Sequence, residues 1–371
     1  MGGSPLPSHS IARIEARHFH LPLDEVMADA MHGDHTHFDL ITARVIRQDG
    51  LEGVGYAFTG GFGGRAIKAV IEDDLAFLVG HDAREVEALH AAMLKRLHYI
   101  ARGGVAGFAI SAVDIALWDL RGKATGAPLW RMAGGAGREA RIYKGRIDLG
   151  DSPEKMGREA EQAVAEGFDA IKIKIGRADM REDIARAAAV REALGPKGAF
   201  MIDANYGYDV PRAIEAAKAF AQFDYLFFEE PTLPDRFADY GRIVEATGAA
   251  LAQGENLRSQ EEFEHALALS RLAYLQPDAC NCGGITAWLA AARAGLAQGV
   301  VACSHGAQEL HVSLVAGASP SGWVEAHSFP IVRYATRPLR REGGVAIAPD
   351  ILGSGVDFDW ARLERDHDAG G

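Results

Sequence analysis

Phe200-Met-Ile-Asp203, Leu226-Phe-Phe-Glu229 and Leu251-Ala-Gln-Gly-Glu255 decide how this chain folds. Each is a short apolar run closing on a carboxylate, and each carboxylate follows the last by 26 residues. A strand followed by an amphipathic helix fills such an interval, and strands alternating with helices give parallel βα units. Working outward, the same rhythm appears at residues 141–144, 170–175, 272–275, 300–302 and 323–324, with Ala-rich helical stretches between. With the three opening segments this makes eight strands, the number that closes a barrel. The spacing therefore predicts three carboxylates on neighbouring strand ends, aimed into one mouth.

The chain on either side has another pattern. Apolar residues alternate over 11–21, 38–47 and 53–58, which predicts an antiparallel meander. Helical periodicity follows at 66–78, 85–97 and 107–123. The reading is an α+β domain over 1–130, a barrel over 131–330, and a segment over 331–371 that returns to the first domain. Polar or glycine-rich stretches near 24–37 and 58–65 are read as lid loops. Gly60-Gly-Phe-Gly-Gly64 lacks the Lys-Ser/Thr of a phosphate-binding loop, so it is read as a lid hinge.

Composition narrows the function. A chain of 371 residues with 48% apolar residues is globular, and a net charge of −12 argues against nucleic acid or an anionic membrane as partner. No apolar run reaches the roughly 18 residues that span a bilayer. Residues 1–10 show no basic region followed by an apolar core, so no secretory signal is expected. Three cysteines, Cys280, Cys282 and Cys303, point to buried free thiols and a cytoplasmic location.

Three converging carboxylates repel unless they are protonated or a cation neutralises them, and hard oxygen ligands on rigid strands suit Mg²⁺. One strand earlier, Lys172-Ile-Lys174 sends both lysines to one face. A Lys near other cations has its ammonium form disfavoured and can act as a base near neutral pH. Asp278 and His305 end the sixth and seventh strands, and a carboxylate that holds a His tautomer strengthens it as a base. Glu325 ends the eighth strand, where it can donate a hydrogen bond if its surroundings keep it protonated.

Ile171-Lys-Ile-Lys174, Ile202-Asp-Ala-Asn205, Phe228-Glu-Glu-Pro231, Gly254-Glu-Asn256, Gln276-Pro-Asp278 with Gly283-Gly-Ile-Thr286, and Ser304-His305 together resemble the enolase superfamily, specifically its mandelate racemase subgroup. The resemblance spans nearly the whole chain. It implies an α/β fold, a modified TIM barrel (βα)7β with an N-terminal α+β capping domain. It also implies one Mg²⁺ per subunit held by Asp203, Glu229 and Glu255. Lys174 corresponds to a base on one face of the substrate carbon, with Lys172 holding the substrate carboxylate. His305 with Asp278 corresponds to a base on the other face. Asn205 and Glu325 correspond to residues that touch the substrate, and Glu230 to one that supports the ligands from outside.

Two departures bear on substrate. Tyr143-Lys-Gly-Arg146 places cations where small hydroxyl residues are expected, and Met31-His-Gly-Asp-His-Thr-His37 is polar for an aromatic substrate. Lys144, Arg146, His32 and His35, with Asp34 and His37, are therefore read as donors and acceptors for a polyhydroxy chain. The reading is an acid-sugar dehydratase that takes the proton α to a carboxylate and eliminates the β-hydroxyl, giving a 2-keto-3-deoxy acid. The alternatives are a racemase or epimerase of a 2-hydroxy acid, and a barrel that binds metal or sugar acid without turnover. The partner is a small carboxylate, and a homo-oligomer is expected. A dinucleotide-binding Gly-x-Gly-x-x-Gly between a strand and a helix is missing, which argues against a dehydrogenase.

Overall fold

The computed structural model describes residues 6–367; the first five residues of the stretch read for a signal, and both chain ends of the domain reading, lie outside the described residues. Strands β1 (Ile11–Asp29), β2 (Gly33–Arg47) and β3 (Glu52–Thr59) form an antiparallel meander. They are followed by helices α1 (Gly64–Ala69), α2 (Val86–Leu97), α3 (Gly104–Thr125) and α4 (Leu129–Met132). The residues expected to be a lid loop at 24–37 are largely strand. β1 and β2 pair as far as Asp29↔Gly33, with shifts in register between Ile11 and Arg13 and between Pro22 and Met27. Tight backbone pairing wins here over polar composition, so the lid is a hairpin tip rather than a loop.

α3 is buried through its middle, from Ala109 to Leu120, and is the floor of this domain. The sheet lies so close to it that a Cβ on Gly55 would stand 2.1 Å from the Ala112 carbonyl oxygen. In the middle of α3, Asp119 accepts from the Val54 amide at 2.9 Å and from the Ser354 amide at 2.8 Å. One buried carboxylate thus ties the sheet to the C-terminal segment.

The barrel strands are β4 (Glu139–Gly145), β5 (Ala170–Lys174), β6 (Ala199–Asp203), β7 (Tyr225–Glu229), β8 (Leu251–Gln253), β9 (Tyr274–Leu275), β10 (Val301–Ala302) and β11 (Trp323–Ala326). Helices α5 (Pro153–Ala165), α6 (Met180–Leu194), α7 (Val210–Phe220), α8 (Phe237–Thr247), α9 (Gln260–Leu269), α10 (Gly284–Leu296) and α11 (Gln308–Ala318) alternate with them. Successive strands pair in parallel from β4 to β10, and β11 pairs with β4. The Ser304 amide donates to the Trp323 carbonyl at 2.9 Å, which joins the β10 side to β11 and completes the ring. The architecture is the (βα)7β barrel with a capping domain that the sequence predicts.

β4 and β5 pair only over Lys144↔Ile171 and Gly145↔Lys172. Below that point β12 (Arg340–Glu342) and β13 (Val345–Ile347) form a hairpin, and β13 pairs antiparallel with Glu139 to Arg141 of β4. α12 (Trp360–Asp366) then reaches β1, and the His20 amide donates to His367 Nδ1 at 2.9 Å. The C-terminal segment therefore joins the barrel sheet as well as the capping domain. Cys280, Cys282 and Cys303 are buried free thiols.

Candidate active site

β5, β6 and β7 end level with one another, because Lys174 pairs with Asp203 and Asp203 with Glu229 in the strand register. Period-two alternation turns Lys172, Lys174, Asp203 and Glu229 inward, while Ile171, Ile173 and Ile202 face the helices. Lys172 Nζ lies 2.8 Å from both oxygens of Glu229, 3.0 Å from Glu325 Oε1 and 3.4 Å from Asp203 Oδ2. Lys174 Nζ bonds Asp203 Oδ2. Gln276 Nε2 donates to Glu229 Oε2 at 2.7 Å. Buried charges at this density are tolerated only when paired.

The pairing leaves oxygen ligands over. Asp203, Glu229 and Glu255 each offer an oxygen within 4.8 Å of the others. Glu255 Oε2 is buried without a hydrogen bond, His305 Nε2 lying 3.2 Å away but out of line. Glu230 Oε1 is likewise buried and unpartnered, while Asn256 Nδ2 donates to its other oxygen at 2.7 Å. Burial and the Glu255 charge push the Glu230 carboxyl up to about 8. Burial and the Asp203 charge drive Glu229 well above the carboxylate range. Three acids within reach of one another, with burial and repulsion raising Glu229 and a buried Glu255 oxygen that no hydrogen bond satisfies, fit a small divalent cation.

The same crowding changes two expectations. Burial disfavours the Lys174 ammonium, but Asp203 and the other carboxylates outweigh it and raise Lys174 above the ordinary lysine range. The neighbouring cation Lys172 is the weaker influence, so Lys174 is not depressed toward neutrality by its surroundings alone. Burial likewise works to raise Glu325, yet the Lys172 and His305 charges hold it low. Glu325 also accepts from the Gly306 amide at 3.0 Å. These neighbours work against the protonated form that the sequence reading allowed for Glu325, because Lys172, His305 and the Gly306 amide all favour its charged form.

Across the mouth, His305 Nδ1 lies 3.0 Å from Asp278 Oδ2. The Cys280 amide donates to Asp278 Oδ1 at 2.7 Å and fixes the carboxylate. Burial opposes a charged His305, but Glu255 and the Asp278 bond prevail and raise it to about 10. Behind it, His311 Nδ1 donates to the Gly306 carbonyl at 2.7 Å, and its Nε2 accepts from the Ala279 amide at 3.0 Å. His311 is thus neutral, and burial holds it below the usual range.

A cavity of about 160 Å³ brings Lys174, Asn205, Glu255, Asp278 and His305 together with His32 and His35 of the hairpin tip. Asn205 sits in a left-handed conformation (φ 39°), and its amide donates to Asp203 Oδ1 at 2.8 Å. Asp29 organises the tip: it accepts from the His32 amide at 2.7 Å and lies 3.0 Å from His32 Nδ1 and 2.9 Å from His35 Nε2. Tyr206 Oη meets His32 Nε2 at 2.8 Å and links the tip to the barrel.

Lys144 and Arg146 do not reach this cavity. On β4, Tyr143 and Gly145 face inward, so Lys144 turns out over the Phe168 ring, its Nζ 5.5 Å from the centroid. Arg146 pairs with Asp148 at 2.9 Å, with Asp151 and with Glu159. Both line a separate cavity of about 260 Å³ beside α5. His37 also turns away and stacks on His20, centroids 4.4 Å apart. Gln276, Tyr206 and His327 were missed by the sequence reading. His327 was the most accessible of these, since it follows Glu325 by two and alternation puts both on one face.

Residues 15–134 match the mandelate racemase/muconate lactonizing enzyme N-terminal domain, and residues 155–362 the enolase C-terminal domain-like family. The chain belongs to the enolase superfamily, in its mandelate racemase/muconate lactonizing enzyme subgroup. Among relatives in this superfamily, a 3,6-anhydro-alpha-L-galactonate cycloisomerase of Streptomyces coelicolor is 40% identical over 96% of this chain and 99% of its own length. An L-talarate/galactarate dehydratase of Salmonella typhimurium is 31% identical over 78% of this chain and 73% of its own. Among solved structures, a racemase from Streptomyces coelicolor A3(2) with bound magnesium superposes with a TM-score of 0.93 at 39% identity, covering 96% of this chain and all of that one. The Salmonella dehydratase, solved with Mg and L-lyxarohydroxamate, gives a TM-score of 0.91 at 27% identity, covering 99% of this chain and 96% of that one. The cofactor of this enolase-superfamily enzyme is Mg²⁺, and the relatives it resembles are sugar-acid dehydratases and a cycloisomerase. No helix among the described residues is long and apolar enough to cross a membrane.

Proposed function

We propose that this enzyme removes the α-proton of a sugar acid and expels the β-oxygen, giving a 2-keto-3-deoxy acid. The observation that carries the reading is the single cavity that holds Lys174 and the Asp278–His305 pair on separate sides of the three-carboxylate cluster. Two proton-transfer groups facing each other across a substrate carbon suit abstraction by one and proton return by the other. Mg²⁺ on Asp203, Glu229 and Glu255 supplies positive charge for a carboxylate gaining negative charge, and offsets the carboxylates that hold Lys174 protonated. Lys174 takes the C2 proton and the electron pair passes into the substrate carboxylate as an enediolate; in a second step that pair forms a C2–C3 double bond as the C3–O bond breaks. Protonated His305 gives a proton to the departing oxygen, and the enol then tautomerises to the ketone. Lys172, held by Glu325 at 3.0 Å below the cavity, marks the end where the substrate carboxylate docks.

A second reading changes only the leaving group. The 40% identity over almost the whole chain favours a ring ether at C3, as in a 3,6-anhydro sugar acid, so that the expelled oxygen stays attached. Mass spectrometry separates the two: a dehydratase product is lighter by one water, a cycloisomerase product has the mass of its substrate. The test is turnover of galactarate, galactonate and 3,6-anhydrogalactonate with Mg²⁺ in D₂O, reading 2-keto product as a semicarbazone. Inversion at C2 with deuterium uptake and no keto product from any of them would replace elimination by racemisation.

A further inference from the structure

His327 follows β11, two residues beyond Glu325 and on the same inward face. Its position is therefore one layer further out toward the mouth than the Lys172–Glu325 pair. The ring packs edge-on to His305, centroids 5.1 Å apart, and is flanked by Phe329 at 4.9 Å and Phe58 at 6.4 Å. A nitrogen of His327, a nitrogen of His305 and an oxygen of Glu325 lie within 4.8 Å of one another.

The backbone fixes which nitrogen carries the proton. The Phe329 amide donates to His327 Nδ1 at 3.1 Å, so Nδ1 is an acceptor and the hydrogen is on Nε2. Among the described residues no acceptor meets that Nε2–H, and the ring lines both the active-site cavity and the neighbouring cavity beside α5. Burial, with the cations His305, Lys174 and Lys172 nearby, keeps the ring neutral, its value lowered to about 3.

Layering then assigns a substrate atom. A sugar acid whose carboxylate docks at the level of Lys172 has its α-carbon at the level of His305, and its next carbon one layer out. We propose that the Nε2–H of His327 donates a hydrogen bond to the β-oxygen of the substrate, the oxygen that leaves. This rests on the elimination reading and deepens it. His327 donates only the hydrogen bond: the proton that ends on the departing oxygen comes from His305, and His327 keeps its own. The bond strengthens as negative charge gathers on that oxygen, so it acts in the elimination step and not in α-proton removal.

The test uses the Mg²⁺-loaded enzyme in D₂O and reads two rates, C2 deuterium uptake into recovered substrate and keto-acid formation. His327→Phe keeps a flat ring between Phe58 and Phe329 but removes the donor. Keto-acid formation should fall by roughly 10²-fold, in the range of a lost oxyanion donor, while deuterium uptake stays near the wild-type rate. His327→Gln, which restores an N–H, should recover part of the loss. Equal losses in both rates, or no loss in either, would overturn the role of His327. Wild-type enzyme that exchanges C2 deuterium but forms no keto acid would instead overturn elimination itself.

Discussion

At the scale of single residues, the site is a set of acids in excess of its cations. Lys172 answers Glu229 and Glu325, and Lys174 answers Asp203, but Glu255 keeps an oxygen with no hydrogen bond. Magnesium should therefore stabilise the fold measurably. A ligand at about 100 times its dissociation constant adds about 2.7 kcal/mol, which calorimetry resolves as a higher melting temperature. Glu255→Gln should lose most of that rise and all detectable turnover. An equal Mg²⁺-induced rise in wild type and variant would place the cation elsewhere. Each ligand was legible in the sequence because a carboxylate at a strand end recurs with the βα repeat. The protonation states were not legible, since they depend on which opposite charges the fold brings within 3 Å. Lys174 shows this: two lysines side by side suggest a lowered value, and Asp203, Glu255 and Glu229 reverse it.

At the scale of elements, the alternation of a strand decides which side chains serve the site. Lys144 and Arg146 looked available, but Gly145 is the inward residue, and its lack of a side chain is what admits Glu325. A Cβ there would lie 2.3 Å from Glu325 Oε1 and 2.7 Å from its Cγ. Gly145→Ala should push Glu325 off Lys172 and the Gly306 amide, at a stability cost of about 1–3 kcal/mol. Turnover should fall at least roughly tenfold, while thermal unfolding still shows one folded species. Wild-type kcat/KM in that variant would show that Glu325 need not hold its place. The hairpin tip carries a pH dependence of its own. The Asp29 bond raises His32, so His32 contributes fully below about pH 6.5, its ordinary value, and its contribution fades as pH rises through the raised one. Burial opposes but the His32 and His35 bonds lower Asp29, so Asp29 contributes above about pH 4 and fails as pH falls toward its lowered value. Protection factors of the Met31 and His32 amides should be highest between those limits and decline toward pH 8. Protection that does not change from pH 5 to 8 would separate the tip from this titration. Sequence periodicity gave the strands of this hairpin but stopped them short of residue 24, because polar tips pair through backbone alone and leave no apolar signature.

At the scale of the whole molecule, repeat and rhythm were enough for the barrel, its eight strands and the direction of its mouth. They were not enough for the seam. The tail has no βα rhythm, and a three-residue strand such as β13 is too short for alternation to register. The seam has a consequence for how the protein is made. Arg141 of β4 pairs with Trp323 on one side and with Val345 on the other. Both partners are encoded about 200 codons after β4 itself. At roughly 5–20 residues per second, the ribosome needs about 10–40 s to supply them. For that interval the first barrel strand has only its short contact with β5, and its remaining backbone groups face water or a chaperone. The barrel is thus a structure whose first strand is made early and sealed last.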